Sequence, residues 1–408
     1  MWTAMIMGAR NLLRHRLRTG LTIVALVLGT FFLVFIVGLN EGTYADMTRM
    51  ATSTWNGQLQ VLHEEYHDSP SLFESIKDPA PILDALSKDP DVVHVTARVE
   101  AAGLFSAEHR TAGGLLTGVM PEHEPQVSTL PNSLKEGTFL GQTRGEDMLP
   151  IVLGDGLATR LKVSLGAQVV YLGQAADGSM AAELFEIVGI MDSGIDELDA
   201  SMAFIRLQDA QQLFVLGTSV HRVVAKTQSA YGVERIKARH EDFGETIATQ
   251  TWDDLMPEIK NGIEADREGG RAFLFIIIFM VILGTVNTLM MSVLERTKEF
   301  GVMKALGTPR WQIIAMIIFE GAWLSILGVG VGVLLASALH VYLAVDGLQM
   351  LENPVEFGGM SISVIYPANT LLGNVIYPGV LVGASILGAV WPAWRASNLD
   401  PVAALRSL

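Results

Sequence analysis

Apolar positions in this chain gather into four long runs: Gly20 to Leu39, Phe273 to Met291, Ile313 to Val345 and Val375 to Trp391. Crossing a bilayer takes roughly 17 to 25 predominantly apolar residues, so each run predicts a membrane-spanning helix. Ahead of the first run, Trp2, Met5, Ile6, Ala9, Leu12 and Leu13 fall at helical spacing, interleaved with Arg10, Arg14, Arg16 and Arg18. This predicts an amphipathic helix over 1–19, lying in the membrane interface. The first run is too long for a signal-peptide core and lacks a small-x-small site after it, so it reads as a retained anchor.

Residues 40–270 contain no run long enough to span. Short apolar stretches alternate there with turn residues, predicting strands at Gln58–Leu62, Val92–Phe105, Gly114–Val119, Leu149–Leu153, Gln168–Leu172, Leu184–Met191, Ser201–Ile205 and Val220–Ala225. Helical periodicity appears at Pro81–Ser87, Asp155–Leu161, Gln208–Phe214 and Gly232–Glu241. The expected fold is therefore a membrane protein with four transmembrane α-helices and a large extracytoplasmic α+β domain between the first and second spans. Leu255, Ile259 and Ile263 predict a helical stalk over 251–270, bent where Gly269 and Gly270 adjoin. The remaining divisions are spans at 20–39, 271–293, 311–345 and 375–392, a link at 294–310, a loop at 346–374 and a tail at 393–408.

The link reads VLERTKEFGVMKALGTPR from Val293 to Arg310. Charge returns abruptly in it, while Phe300, Met303 and Leu306 recur every third residue. That predicts a short amphipathic helix tied at both ends to spans, ended by Gly307, with Thr308 capping the next helix and Pro309 in its first turn. Two polar groups fall inside spans: Asn287 in the second and Glu320 in the third. Glu320 lies about eleven residues in, on the order of 16 Å, which predicts a mid-bilayer carboxyl that must be paired or protonated. Pairing with polar residues of the second span is the structural reading; a proton-driven or conformational switch is the functional one. Gly328, Gly330 and Gly332, and then Gly379 and Gly383, are spaced for close helix contact.

Charge and composition narrow the partners. Net charge is −15, which argues against nucleic acid. There is no cysteine, hence no disulfide or thiolate metal site. No Gly-Lys pair occurs, so this sequence has no P-loop for ATP. His63-Glu64-Glu65-Tyr66-His67 matches the H-E-x-x-H zinc-peptidase pattern, but it follows a strand-like run and precedes Asp68-Ser69-Pro70. That chemistry needs both histidines on one helical turn, so a polar loop is the expectation.

Asn287, Ser292-Val293-x-Glu295-Arg296-Thr297-x-Glu299-x-Gly301 and Lys304-Ala305-x-Gly307 together resemble the cytoplasmic coupling loop of the ABC-transporter permease superfamily that includes MacB, FtsX, LolC and LolE. The ending Trp391-Pro392-Ala393-Trp394-Arg395-Ala396, then Leu399-Asp400-Pro401-Val402, is similar to that superfamily's C-terminal signature. The resemblance implies a multi-pass inner-membrane protein that is not itself an enzyme. It implies a separate cytoplasmic ATPase carrying ATP and magnesium, and a second permease copy or paralogue. It also implies an outer subdomain at about 115–200. Glu295, Arg296, Lys298, Glu299, Gly301, Lys304 and Gly307 are then coupling residues, with Phe300 and Met303 filling an apolar groove on the ATPase.

Ser193-Gly194-Ile195-Asp196-Glu197-Leu198-Asp199, followed by Gln208 and Gln211, looks closer to the lipoprotein-releasing branch. This implies lipoprotein or lipid extraction with a periplasmic partner or lipoprotein substrate. Tripartite efflux and activation of a cell-wall hydrolase are the alternatives. Arg and Lys concentrate in 1–19, 294–310 and 393–408 and are absent from 346–374, so the positive-inside rule puts both termini and the link in the cytoplasm.

Overall fold

The computed structural model describes residues 16–140, 148–230, 232–349, 355–357, 360–362 and 364–400. Most of the amphipathic segment expected over 1–19, and the last part of the expected tail signature, lie outside the described residues. The chain forms two compact units.

One unit comprises residues 46–261 and 354–362. It is built on a sheet of β1 (Leu59–His63), β2 (Val92–Ala107), β3 (Arg110–Val119), β4 (Leu134–Gly137), β5 (Leu149–Gly154), β6 (Gln168–Gln174), β7 (Met180–Met191), β8 (Met202–Arg206), β9 (Arg222–Thr227) and β10 (Ile247–Thr251). The order is β10-β1-β9-β2-β3-β8-β5-β7-β4, with β6 bonded to β2 and β7. Strand β2 joins the two halves of this sheet. Residues 92–98 pair with β9, and residues 99–107 pair with β3. Pairing is antiparallel except for β3 with β8 and β5 with β7. The parallel pairs need crossovers, which bring helices onto the sheet and make the domain α/β.

Strands β4, reading LKEG, and β10, reading IATQT, carry too little apolar alternation to be expected from sequence. His63 closes β1, and His67 lies in the turns that follow, so the two do not share a helical face. His63 Nδ1 is instead 2.9 Å from Glu74 Oε2.

The other unit comprises residues 1–45, 262–353 and 363–408. Its helices are α1 (Arg16–Ala51), α2 (Pro257–Glu295), α3 (Thr297–Ala305), α4 (Arg310–Asp346) and α5 (Tyr377–Ser397), of which α1, α2, α4 and α5 are long and apolar enough to cross a membrane. Helix α1 runs a dozen residues past its apolar part, because nothing breaks it before the π-turn at Thr52–Asn56 and Gly57. Helix α2 continues through Gly269 and Gly270 without the expected break.

Glycine sets the spacing of α4 against α1. A Cβ at Gly328 would fall 2.6 Å from Leu26 Cβ, and one at Gly332 would fall 2.7 Å from Thr30 Cβ. Gly330, Gly379 and Gly383 meet nothing within 4 Å, so they do not make the close contacts their spacing suggested; Gly388, which faces α2, lies nearer its neighbours.

Candidate functional site

The link is a nine-residue helix, α3, ending where Gly307 turns back at φ 89°. The next helix begins at Arg310 with Pro309 as its N-cap, so Thr308 does not cap it; its N–H instead donates to the Met303 carbonyl, 3.0 Å away. Three contacts fasten α3 to the spans. Phe300, fully buried, packs among Val293, Ile313, Ile317, Ala393 and Ala396, with Met303 at the edge of the same cluster. Arg296, between α2 and α3, donates from Nη1 to Glu320 Oε2 at 3.2 Å and from Nε to Glu299 Oε2 at 2.9 Å. Lys304 Nζ donates to the carbonyls of Ser397 and Leu399. Those carbonyls lie at the C-terminal end of α5, where the helix dipole favours a cation.

These contacts correct the expected orientation. Phe300 and Arg296 are buried inside the chain, and the half-buried Lys304 ammonium is bonded to the end of α5, so these are not the groups that α3 presents most openly. A three-residue stripe fixes which side chains share a face, but not what that face meets, and here it meets α4 and α5. The stripe also stops short: the helix ends at Ala305, and Leu306 turns outward, 82% exposed. Val302 and Trp311 join it as exposed apolar groups, and Glu295 and Lys298 on the same link are exposed too. Gly301 is buried, and Glu299 half-exposed while paired to Arg296.

Glu320 is also relocated. Helix α4 has 37 residues, about 55 Å at 1.5 Å per residue, well beyond the ~30 Å hydrocarbon core. The Glu320 carboxylate accepts from Arg296 and, at 3.2 Å, from Ser292 Oγ, both near the end of α2. It therefore sits level with the charged link at the end of α2. Asn287 lies on an exposed face of α2. Sequence reasoning named Ser292 and Leu306 without the partner of the first or the exposure of the second, and missed Val302 and Trp311; these depend on how α4 and α5 pack.

A second feature lies between α1 and α2. A crevice of about 420 Å³ is lined by Ala25, Gly29, Phe32, Phe273, Met280 and Gly284, among others. It adjoins a cavity of about 250 Å³ through the shared residues Ile36 and Phe273. There polar groups enter the lining: Arg267 Nη2 donates to Glu41 Oε2 at 3.1 Å, and the Tyr44 hydroxyl donates to Asp266. Among the described residues, no cluster of three His, Cys, Asp or Glu side chains is placed to hold a metal.

The model of the MacB-like periplasmic core domain matches residues 19–243, more than half of the chain, and that of the FtsX-like permease C-terminal domain matches 271–401. The chain is 23% identical over 331 residues to the lipoprotein-releasing system transmembrane protein LolC of Xylella fastidiosa, covering 78% of each. It is 24% identical over 407 residues to the macrolide export ATP-binding/permease protein MacB of Acinetobacter baylyi, covering 96% of this chain and 57% of that one. The periplasmic region of MacB from Actinobacillus actinomycetemcomitans is similar over half of this chain, at 13% identity and a TM-score of 0.36. This protein belongs to the MacB/FtsX/LolC family of ABC-transporter permeases.

Proposed function

We propose that this chain is the membrane subunit through which a separate ATPase, holding ATP and magnesium, drives extraction of lipid-anchored proteins or lipids from the outer leaflet. In this reading α3 faces the cytoplasm, and the ATPase grips Val302, Leu306 and Trp311 while Glu295 and Lys298 form a polar rim. Interfaces commonly pair a few buried apolar anchors with such a rim. Because α3 is fastened to α2, α4 and α5, a push on it moves the spans rather than bending a loop. The motion reaches the large domain through α1 and α2, the helices that continue into it.

The observation carrying the choice of substrate is the crevice between α1 and α2. Its apolar wall and polar mouth match an amphiphile with tails in the membrane and a polar end at its surface. A path for a soluble compound would need polar lining along its length, and the crevice has almost none. The name of the LolC relative points the same way. Helices α1 and α2 leave more of their apolar windows uncovered than α4 and α5, which suits a second permease copy beside them.

The test is reconstitution of this chain with an ABC ATPase that co-purifies with it, in proteoliposomes carrying a fluorescent lipid-anchored protein. ATP-dependent release of that protein supports the reading. Efflux of a soluble compound with an adaptor, or activation of a wall hydrolase without release, replaces it. Hydrolysis of ATP by the purified chain alone overturns the separate-ATPase arrangement.

A further inference from the structure

Arg296 is the one residue between the end of α2 at Glu295 and the start of α3 at Thr297. Its backbone, at φ −103° and ψ 17°, departs from helical values, so the chain changes direction there. Its side chain, only 7% exposed, does not reach for water. It binds Glu320 on α4 and Glu299 on α3, and its guanidinium carbon lies 5.2 Å from the Phe300 ring centroid. The second oxygen of Glu320 accepts from Ser292 on the last turn of α2. One planar cation thus joins three helices where they meet. A guanidinium can hold two acceptors in fixed directions, which a single ammonium cannot do.

We infer that Arg296, held by Glu320, is a positioning residue that locks the angle between α2 and α3. Load applied to α3 then passes into α2 and α4 rather than being absorbed as a bend at residue 296. Lys304 performs the matching task at the other end, against α5. The inference rests on the reading of α3 as the element the ATPase grips.

The chain has no cysteine, so Met291→Cys on α2 and Val302→Cys on α3, both at exposed positions, accept spin labels without background. Distance distributions between them are measured for the full chain in lipid nanodiscs. Expected is one narrow distribution in the labelled parent and in Glu320→Gln, which keeps an acceptor for Arg296. The width at least doubles in Arg296→Ala and Glu320→Ala and is intermediate in Arg296→Lys. In the reconstituted complex without labels, Arg296→Ala keeps ATP hydrolysis within twofold of the parent but releases at least tenfold less substrate per ATP. Equal widths across the series overturn the inference. So does unchanged release per ATP, or a loss of melting temperature and assembly with no change in yield per assembled complex, since Arg296 would then be merely structural. If the parent chain binds no ATPase, the reading of α3 fails, and the spin-label series still decides whether Arg296 locks the joint.

Discussion

Phe300 and Leu306, six residues apart, should fail in opposite ways when truncated. Phe300 is fully buried among side chains of α2, α4 and α5. Replacing it by Ala removes the whole ring from a packed cluster, which costs about 3–5 kcal/mol. Loss of the Arg296 guanidinium contact adds roughly 0.5–1 kcal/mol. Leu306 is 82% exposed, so Leu306→Ala should change folding stability by less than about 0.5 kcal/mol. If a partner buries it as an anchor, the same change should cost about 2 kcal/mol of association, or roughly 30-fold in Kd. The assays are thermal melting of the purified chain in detergent and titration of the ATPase onto it. The reasoning is refuted if Phe300→Ala leaves melting unchanged while weakening the complex, and Leu306→Ala weakens nothing. Phe300 would then be the outward anchor.

Three further outcomes follow from the packing. Glu320→Gln should be tolerated better than Glu320→Lys, because the Gln carbonyl still accepts from Arg296 while its amide N–H can donate to the Ser292 hydroxyl, whereas Lys sets a second cation against Arg296; equal loss of substrate release in both would refute this. Gly332→Leu should cut the yield of folded protein, since its Cβ alone would meet Thr30 at 2.7 Å, and normal yield and melting would show the helices free to separate.

The third concerns acid. Burial holds the His221 imidazole below its usual range, and the Glu100 N–H donates to its Nδ1 at 2.8 Å, so the neutral ring is the one accommodated. Below about pH 6.5 the unfolded chain takes up a proton that the folded one refuses. Stability of the 46–261 region should therefore fall as pH drops from about 6.5 towards the folded value, and His221→Gln should flatten that slope; an unchanged slope would refute the assignment.

The four spans and most of the strands were legible because each rests on a local signal: a run of twenty apolar residues, or alternation bounded by turns. Strands β4 and β10 were not, since Leu134–Gly137 and Ile247–Thr251 gain their place from neighbouring strands rather than from their own residues. The position of α3 was legible from its charge pattern and Gly307, but its length was not, since the helix covers only Thr297–Ala305 of the 294–310 link. Its facing was not, because periodicity names a stripe without naming what covers it. Glu320 was legible as a costly group needing a partner. Its partner was not, because Arg296 stands 24 residues away and meets it only once α2 and α4 are packed.

In the proposed mechanism an ATPase grips the outward tip of α3 while the inward face holds the spans. Photo-crosslinking decides this, with p-benzoylphenylalanine placed in turn at 300, 302 and 306 in cells that co-express the co-purifying ABC ATPase. The account predicts ATPase adducts from 302 and 306 and none from 300. Adducts from 300 alone, or from none of the three in a complex that still co-purifies, would contradict it.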